Sequence, residues 1–509
     1  MTSFNGLAPV GRAFLHHFTS RFWTKAVAAL VLVLLADALF LRPQGFIAGS
    51  TLGLFAASLL AIVWLMRVPR PGSFDYALGI AALGLCFALF NDPGPLAAIL
   101  LWSALALLVL RPTFRSPADA RDLALKLGIF TLTMSLSPFR DLGLLRLASR
   151  RHRAQAIKLA PLILPVTAVL LFGLLFIWAN PILEDFATSF DGGSLFAVLT
   201  IDRLILWAFT GMIVWSLLRA SAIYLPKGAD YEAEKVDGRI VRLFSVQSVL
   251  IALILCNAIF ALQNGLDLTY LWAGETLPNG LTHAQYAHRG AYPLILTALL
   301  AGAFVLVALR RGAPSEHDVR IRALIYLWLA QNVFLVASAI LRTLNYIEDY
   351  SLTFLRLSAL IWMGLVAFGF VLIVARILMG KSGRWLINGN ALAAVGVLYA
   401  MAFADLSGFI ASYNVRHAGD VGGRGQTLDM PYLASLGPAA LPAFDWFISR
   451  MRDAPQAVAA MQYRQTLHDE LALKQQDWRS WTWAGQRLLA SLPPLPAPRM
   501  WQAPQRNVP

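Results

Sequence analysis

Apolar runs of about 20 residues follow one another along most of this chain, and each is as long as an α-helix must be to cross roughly 30 Å of hydrocarbon at about 1.5 Å per residue. About eleven are present, at residues 25–41, 46–66, 74–90, 95–110, 159–179, 197–218, 241–263, 290–309, 320–341, 353–377 and 387–409. They are continuously apolar and lack the two-residue alternation of a lipid-facing β-barrel, which leaves helices as the way the backbone satisfies its own hydrogen bonds in lipid. The sequence therefore predicts an all-α fold: a polytopic transmembrane helical bundle of about 11 spans, closed by a small helical C-terminal extramembrane region. With 58% hydrophobic and 14% charged residues, the composition lies outside the range of soluble domains.

The net charge of +14 raises nucleic acid as a partner, and the placement of the cations argues against it. Arg12, Arg21 and Lys25 precede the first span, Arg67 and Arg70 follow the second, and residues 111–158 carry ten Lys/Arg against three Asp. The intervening loops carry acids instead: Asp92, then Glu184, Asp185 and Asp191, then Glu348 and Asp349. The positive-inside rule places the N-terminus and the basic loops in the cytoplasm, next to anionic headgroups. The expected partner is thus the lipid bilayer, with another envelope protein or a small solute as further candidates, and no nucleic acid. Cys86 and Cys256 both fall inside spans, so no disulfide framework is expected. Ala36-Asp37-Ala38 has the form of a leader cleavage site, but the segment before its apolar core is long for a signal peptide and is read as part of the first helix.

Loop lengths divide the chain into an N-terminal four-helix membrane segment (1–110), a basic cytoplasmic loop (111–158), a seven-helix membrane core (159–409) and an extramembrane helical tail (410–509). Within the basic loop, Leu123 to Leu136 is too short and too charged to span and reads as an interfacial or re-entrant helix. In the tail, Pro438 to Ser449, Pro455 to Gln475 and Asp477 to Ser491 read as short helices, the last carrying Trp478, Trp481 and Trp483, which suits a cap resting on the bilayer. An odd number of spans puts this tail on the extracytoplasmic side.

Polar chemistry concentrates at the outer ends of the spans. The stretch Gly265 to Tyr292 sets Asp267, Tyr270, Glu275, His283, Tyr286, His288 and Arg289 between two apolar runs, as a loop. Arg342, Tyr346 and Tyr350 recur at i, i+4 and i+8, on one face if the ninth helix runs that far, and Thr353 and Arg356 open the tenth. Asp202, Arg203 and Asp405 fall at the same depth. Together these form a candidate outward-facing polar pocket; the alternative is that Arg342 and Arg356 snorkel outward to Glu348, Asp349 or Asp405 and only fix helix packing. Asp37 is an intramembrane acid with a possible proton or cation role, while Gln247, Asn257, Gln331 and Asn332 read as interhelical glue. His283 and His288 lack a third ligand at fixed spacing, and no HExxH, CxxC, GxSxG or GxxxxGK[ST] occurs, so neither a metal nor a cofactor is expected and the catalytic residues are unknown.

The stretches LPKGADYEAEKVDGRIVRLFSVQSVLIALILCNAIFALQN, ETLPNGLTHAQYAHRGAYPL, RTLNYIEDYSLTFLRL, LDMPYLASLGPAALPAF and DWRSWTW together resemble bacterial polytopic membrane proteins catalogued as domains of unknown function 4153/4173. The resemblance covers roughly residues 125 to 485, with Tyr286 to Gly290 its most specific part, and implies an inner-membrane protein without an assigned activity. It also implies Tyr-Gly-Leu-Thr where this chain has Tyr350-Ser351-Leu352-Thr353. Serine in place of glycine argues against a positive-φ turn there.

Three functions fit: a transporter or ligand-binding membrane protein using the outer pocket, a structural or regulatory envelope scaffold, and a lipid-linked glycosyl- or acyl-transferase with Asp267, Glu275 or His288 as general base. The four-residue first external loop leaves no room for the acidic motif such transferases carry in that loop, and a non-enzyme is favoured. A deep funnel past Asp267 and Arg356 would favour transport, and a closed, salt-bridged lid would favour a scaffold.

Overall fold

A computed structural model describes residues 9–42, 45–66, 71–111, 119–138, 141, 200–219, 245–273, 300, 318–451 and 455–494, with 9–21 described by backbone alone. Its α-helices are α1 (Pro9–Phe40), α2 (Thr51–Leu65), α3 (Ser73–Asn91), α4 (Pro95–Leu110), α5 (Ala120–Thr133), α6 (Ile201–Leu218), α7 (Val246–Asp267), α8 (Val319–Tyr350), α9 (Phe354–Leu378), α10 (Gly383–Met401), α11 (Leu406–His417), α12 (Met430–Ser435), α13 (Leu441–Arg450), α14 (Pro455–Gln476) and α15 (Trp483–Ser491). A two-residue antiparallel pair, β1 (Leu41–Arg42) with β2 (Gly45–Phe46), turns the chain between α1 and α2. The all-α expectation holds.

Six helical segments are long and apolar enough to cross a membrane: Phe22–Phe40 of α1, α3, α6, Val246–Trp272, α8 and α9. A seventh is reached if α10 and α11, bent by 73°, are taken as one span. The expected count of about eleven is therefore not met among the described residues. The reason is local in two cases: residues 46–50 of one apolar run are spent on β2 and a turn, leaving α2 with 15 residues, and α4 has 16. At about 1.5 Å per residue neither helix reaches 30 Å. The expected spans 159–179 and 290–309 lie outside the described residues, and the last expected span, 387–409, is broken at 402–405.

Helix starts follow side-chain chemistry. Ser245, Asp318, Thr353 and Ser382 each accept a backbone N–H in the first turn of α7, α8, α9 and α10, satisfying donors that lipid could not. The expected interfacial helix is α5, whose Lys126 is buried against Asp122 at 2.7 Å and whose Phe130 stacks on Trp102 of α4.

Three cores result. The first joins α1 through α6, the second α7 through α10, and the third lies in the C-terminal cap, where Phe444 and Phe447 of α13 pack with Ile410 of α11, Leu467 of α14 and Leu352 of the α8–α9 turn. Within the second, Asn257 Nδ2 donates to Leu324 O at 3.2 Å and Asn264 Nδ2 to Gln331 O at 3.2 Å, so α7 and α8 run parallel.

Candidate functional site

The apolar face of α7 continues past its expected end, so Asp267 is not in a loop. It is the last residue of α7, fully buried, and a π-helical turn (Leu268–Trp272) carries Tyr270 and Trp272 onward. Both Asp267 carboxylate oxygens accept from Arg342 Nη2, and Gln263 Nε2, one turn earlier, donates to Asp267 Oδ1 at 3.0 Å. Trp272 ties the π-helical turn to α8, donating to Ser338 Oγ at 3.0 Å and stacking on Phe334. Below it, Gln331 Nε2 donates to Asn257 Oδ1 at 2.8 Å across the helices, as expected of interhelical amides. A polar seam thus runs along the α7–α8 contact from mid-helix to the C-terminal end of α7.

Helix α8 does run through Tyr350, and the Arg342, Tyr346, Tyr350 stripe is realised. Its members do different work. Arg342 turns inward to Asp267, while Tyr346 and Tyr350 pair at 5.0 Å and the Arg356 guanidinium lies 4.1 Å over Tyr346. Arg356 Nη1 donates to Tyr350 O at 2.6 Å and also to Ser351 O. Thr353 caps α9 by accepting from Arg356 N at 3.4 Å. The expected packing pairs of Arg342 and Arg356 with Glu348, Asp349 or Asp405 are replaced by these contacts.

Ser351 sits at φ 68°, the one non-glycine residue with positive φ among those described. The positive-φ turn that serine put in doubt is present, and its neighbours explain why. Asn414 of α11 donates to Leu352 O at 2.9 Å and accepts from Leu352 N at 2.7 Å, and Phe354 N donates to the Tyr432 hydroxyl at 3.3 Å. The turn is held from the cap and from Arg356 at once, so the backbone cannot relax.

The remaining residues of the expected cluster separate. Arg203 Nε lies 3.2 Å from Asp37 Oδ1, and Trp207 Nε1 donates to the same oxygen at 3.0 Å, so Asp37 and Arg203 tie α1 to α6 in the N-terminal bundle. Asp202 is exposed in the first turn of α6. Asp405 caps α11 by accepting from Gly408 N at 2.8 Å and lies close enough to Asp92 to raise its pKa, after the larger effect of desolvation. Glu275, His283, Tyr286, His288 and Arg289 lie outside the described residues.

A second constellation gathers around the DWRSWTW stretch, residues 477–483. The Arg42 guanidinium pairs with Asp477, Ser50 N donates to Trp481 O at 2.7 Å, Trp483 N donates to Ser50 Oγ at 3.1 Å, and Arg487 Nη2 donates to Asn91 Oδ1 at 2.8 Å. These bonds strap the cap to the ends of α1, α2 and α3. Gly49 is required there, because a Cβ would overlap the Trp481 carbonyl and Ser480 backbone.

No curated protein and no solved structure matches the chain. A family model described as a domain of unknown function, DUF4153, matches residues 77–446, from α3 into α13. The match covers α7, α8 and the α8–α9 turn and stops before the strap residues 477–487. Spanning more than half of the sequence, it shows that the chain belongs to the DUF4153 family.

Proposed function

We propose that this protein is a multi-pass inner-membrane scaffold whose extracytoplasmic cap is held rigidly on two helical bundles and offers a fixed surface to another envelope protein. One observation carries the reading: directional bonds tie the cap to both bundles, through Asn414 and Tyr432 to the α8–α9 turn and through Asp477, Trp481 and Arg487 to α1–α3. A buried, doubly bonded Asp267–Arg342 pair at the outer end of α7 and α8 supports it as a closed lid. A cavity of about 40 Å³ between α9 and α10, lined by Ile361, Trp362 and Leu365, is roughly the size of one water.

Ligand binding or transport through the outer polar cluster is the second reading. What favours it is that Asn264 Oδ1 and Gln331 Oε1 are buried without a donor in the seam below Asp267, a cost that a bound water or ligand would remove. Spin labels at Leu266→Cys and Leu344→Cys, both exposed on α7 and α8, separate the two in lipid nanodiscs. A scaffold shows one distance distribution with and without an imposed ion or solute gradient. A second population that responds to the gradient overturns the scaffold reading.

A further inference from the structure

We infer that the corner between α14 and α15, with the β1–β2 tip beside it, is an interfacial anchor that seats the cap in the headgroup layer of a phospholipid bilayer. Depth comes first. Arg479 Nε donates to Ala38 O at 3.2 Å, and Ala38 lies in the last turn of the apolar part of α1. The Trp481 and Trp483 rings lean on Phe90, at 6.2 and 6.3 Å, and Phe90 lies in the last turn of the α3 span. The corner therefore reaches down to the level at which the spans end, where hydrocarbon gives way to headgroups.

At that depth it leaves large side chains uncovered. Trp478 is 54% exposed, Trp483 44%, Leu473 68% and Phe46 61%. A cap surrounded by water would hide such groups, whereas indole rings sit at the headgroup level because one edge is apolar and the N–H is wet. Charge points the same way. The corner's acid, Asp477, is taken up by Arg42, while the Arg479 guanidinium lies 4.4 Å over Trp478 and Arg487 is exposed beside Asn91. Two guanidinium groups, each using one N–H on the protein, thus sit at the level of the layer that contains phosphodiesters, to whose oxygens their remaining N–H groups can donate. The partner is the lipid headgroup layer, and the anchor stands whether or not the cap also binds a protein.

The test uses the full chain in phosphatidylcholine–phosphatidylglycerol vesicles, with Cys86→Ala and Cys256→Ala, and a fluorophore on Trp478→Cys or, separately, on Trp483→Cys. Lipids carrying a spin label near the headgroup are expected to quench both sites more strongly than lipids labelled at the chain end, with aqueous iodide quenching weakly. A label-free measurement guards against insertion of the dye: the wild-type minus Trp478→Phe emission should be lost in brominated phosphatidylcholine. Strong iodide quenching at both sites, with a Trp478 difference spectrum unaffected by brominated lipid, would overturn the anchor.

Discussion

Replacing Ser351 by glycine is expected to stabilise the protein. At φ 68° and ψ 166° the residue occupies a region that is essentially glycine-only, and holding a side chain there costs about 1–3 kcal/mol. Glycine would also add freedom to the unfolded chain, a loss of about 0.4–1 kcal/mol. The balance is a gain of about 0.5–2 kcal/mol. It depends on the turn staying where it is, which the bonds from Arg356, Asn414 and Tyr432 to residues 350–354 ensure. Thermal unfolding of the purified protein in nanodiscs, followed by tryptophan emission, should shift upward by about 0.5–2 °C. Ser351→Ala keeps the Cβ and therefore the strain, and its Tm should match the wild type. A rise in Ser351→Ala equal to that in Ser351→Gly would place the effect in the hydroxyl group, and a fall in Ser351→Gly would refute the strain argument.

Three further outcomes follow from contacts elsewhere. Asp267→Ala removes the carboxylate that accepts two bonds from the buried Arg342 guanidinium, in a site where Arg342 is 6% exposed, and should cost about 3–5 kcal/mol; Asp267→Asn with Arg342→Gln should recover most of this, and a double variant no more stable than the single would show that the charge pair is not the cause. Gly49→Ala drives a Cβ into the backbone of Ser480 and Trp481, neither of which can swing aside, so limited proteolysis should cut between α14 and α15 faster than in the wild type; unchanged cleavage would mean the strap is not tight. Desolvation and the Asp405 carboxylate both penalise ionised Asp92, raising its pKa in the folded chain, so this group weakens folding above that raised pKa and ceases to do so once the pH falls below the ordinary value of 3.8. Asp92→Asn should therefore raise the Tm at pH 7, with the difference closing in acid, and a gain that persists there would point to a cause other than charge.

The helical segments were legible in the sequence and azimuth was not. Helical rise and the alternation of basic loops predict Arg203, Asp267, Arg342 and Asp405 near one outer plane, with Asp37 about one turn further in. Which groups meet within that plane depends on how each helix is rotated and which helix stands beside it. That is decided by packing, and the rise per residue carries no information about it. Asp267 finds Arg342 75 residues away, while Arg203 pairs with Asp37 in the other bundle, so members of one expected cluster part, and one of them meets the acid that was read apart from it. Asn257 and Gln331, amides of the seam between α7 and α8, were legible as interhelical glue, but which amides meet was not: the parallel arrangement of these helices sets Asn257 against Gln331. Ser351 shows the limit from the other side. A local rule of backbone preference spoke against a positive φ there, and bonds from α9, α11 and α12 overrule it together. A rule worth about 1–3 kcal/mol yields where several bonds, at about 0.5–1.5 kcal/mol each, converge on three residues.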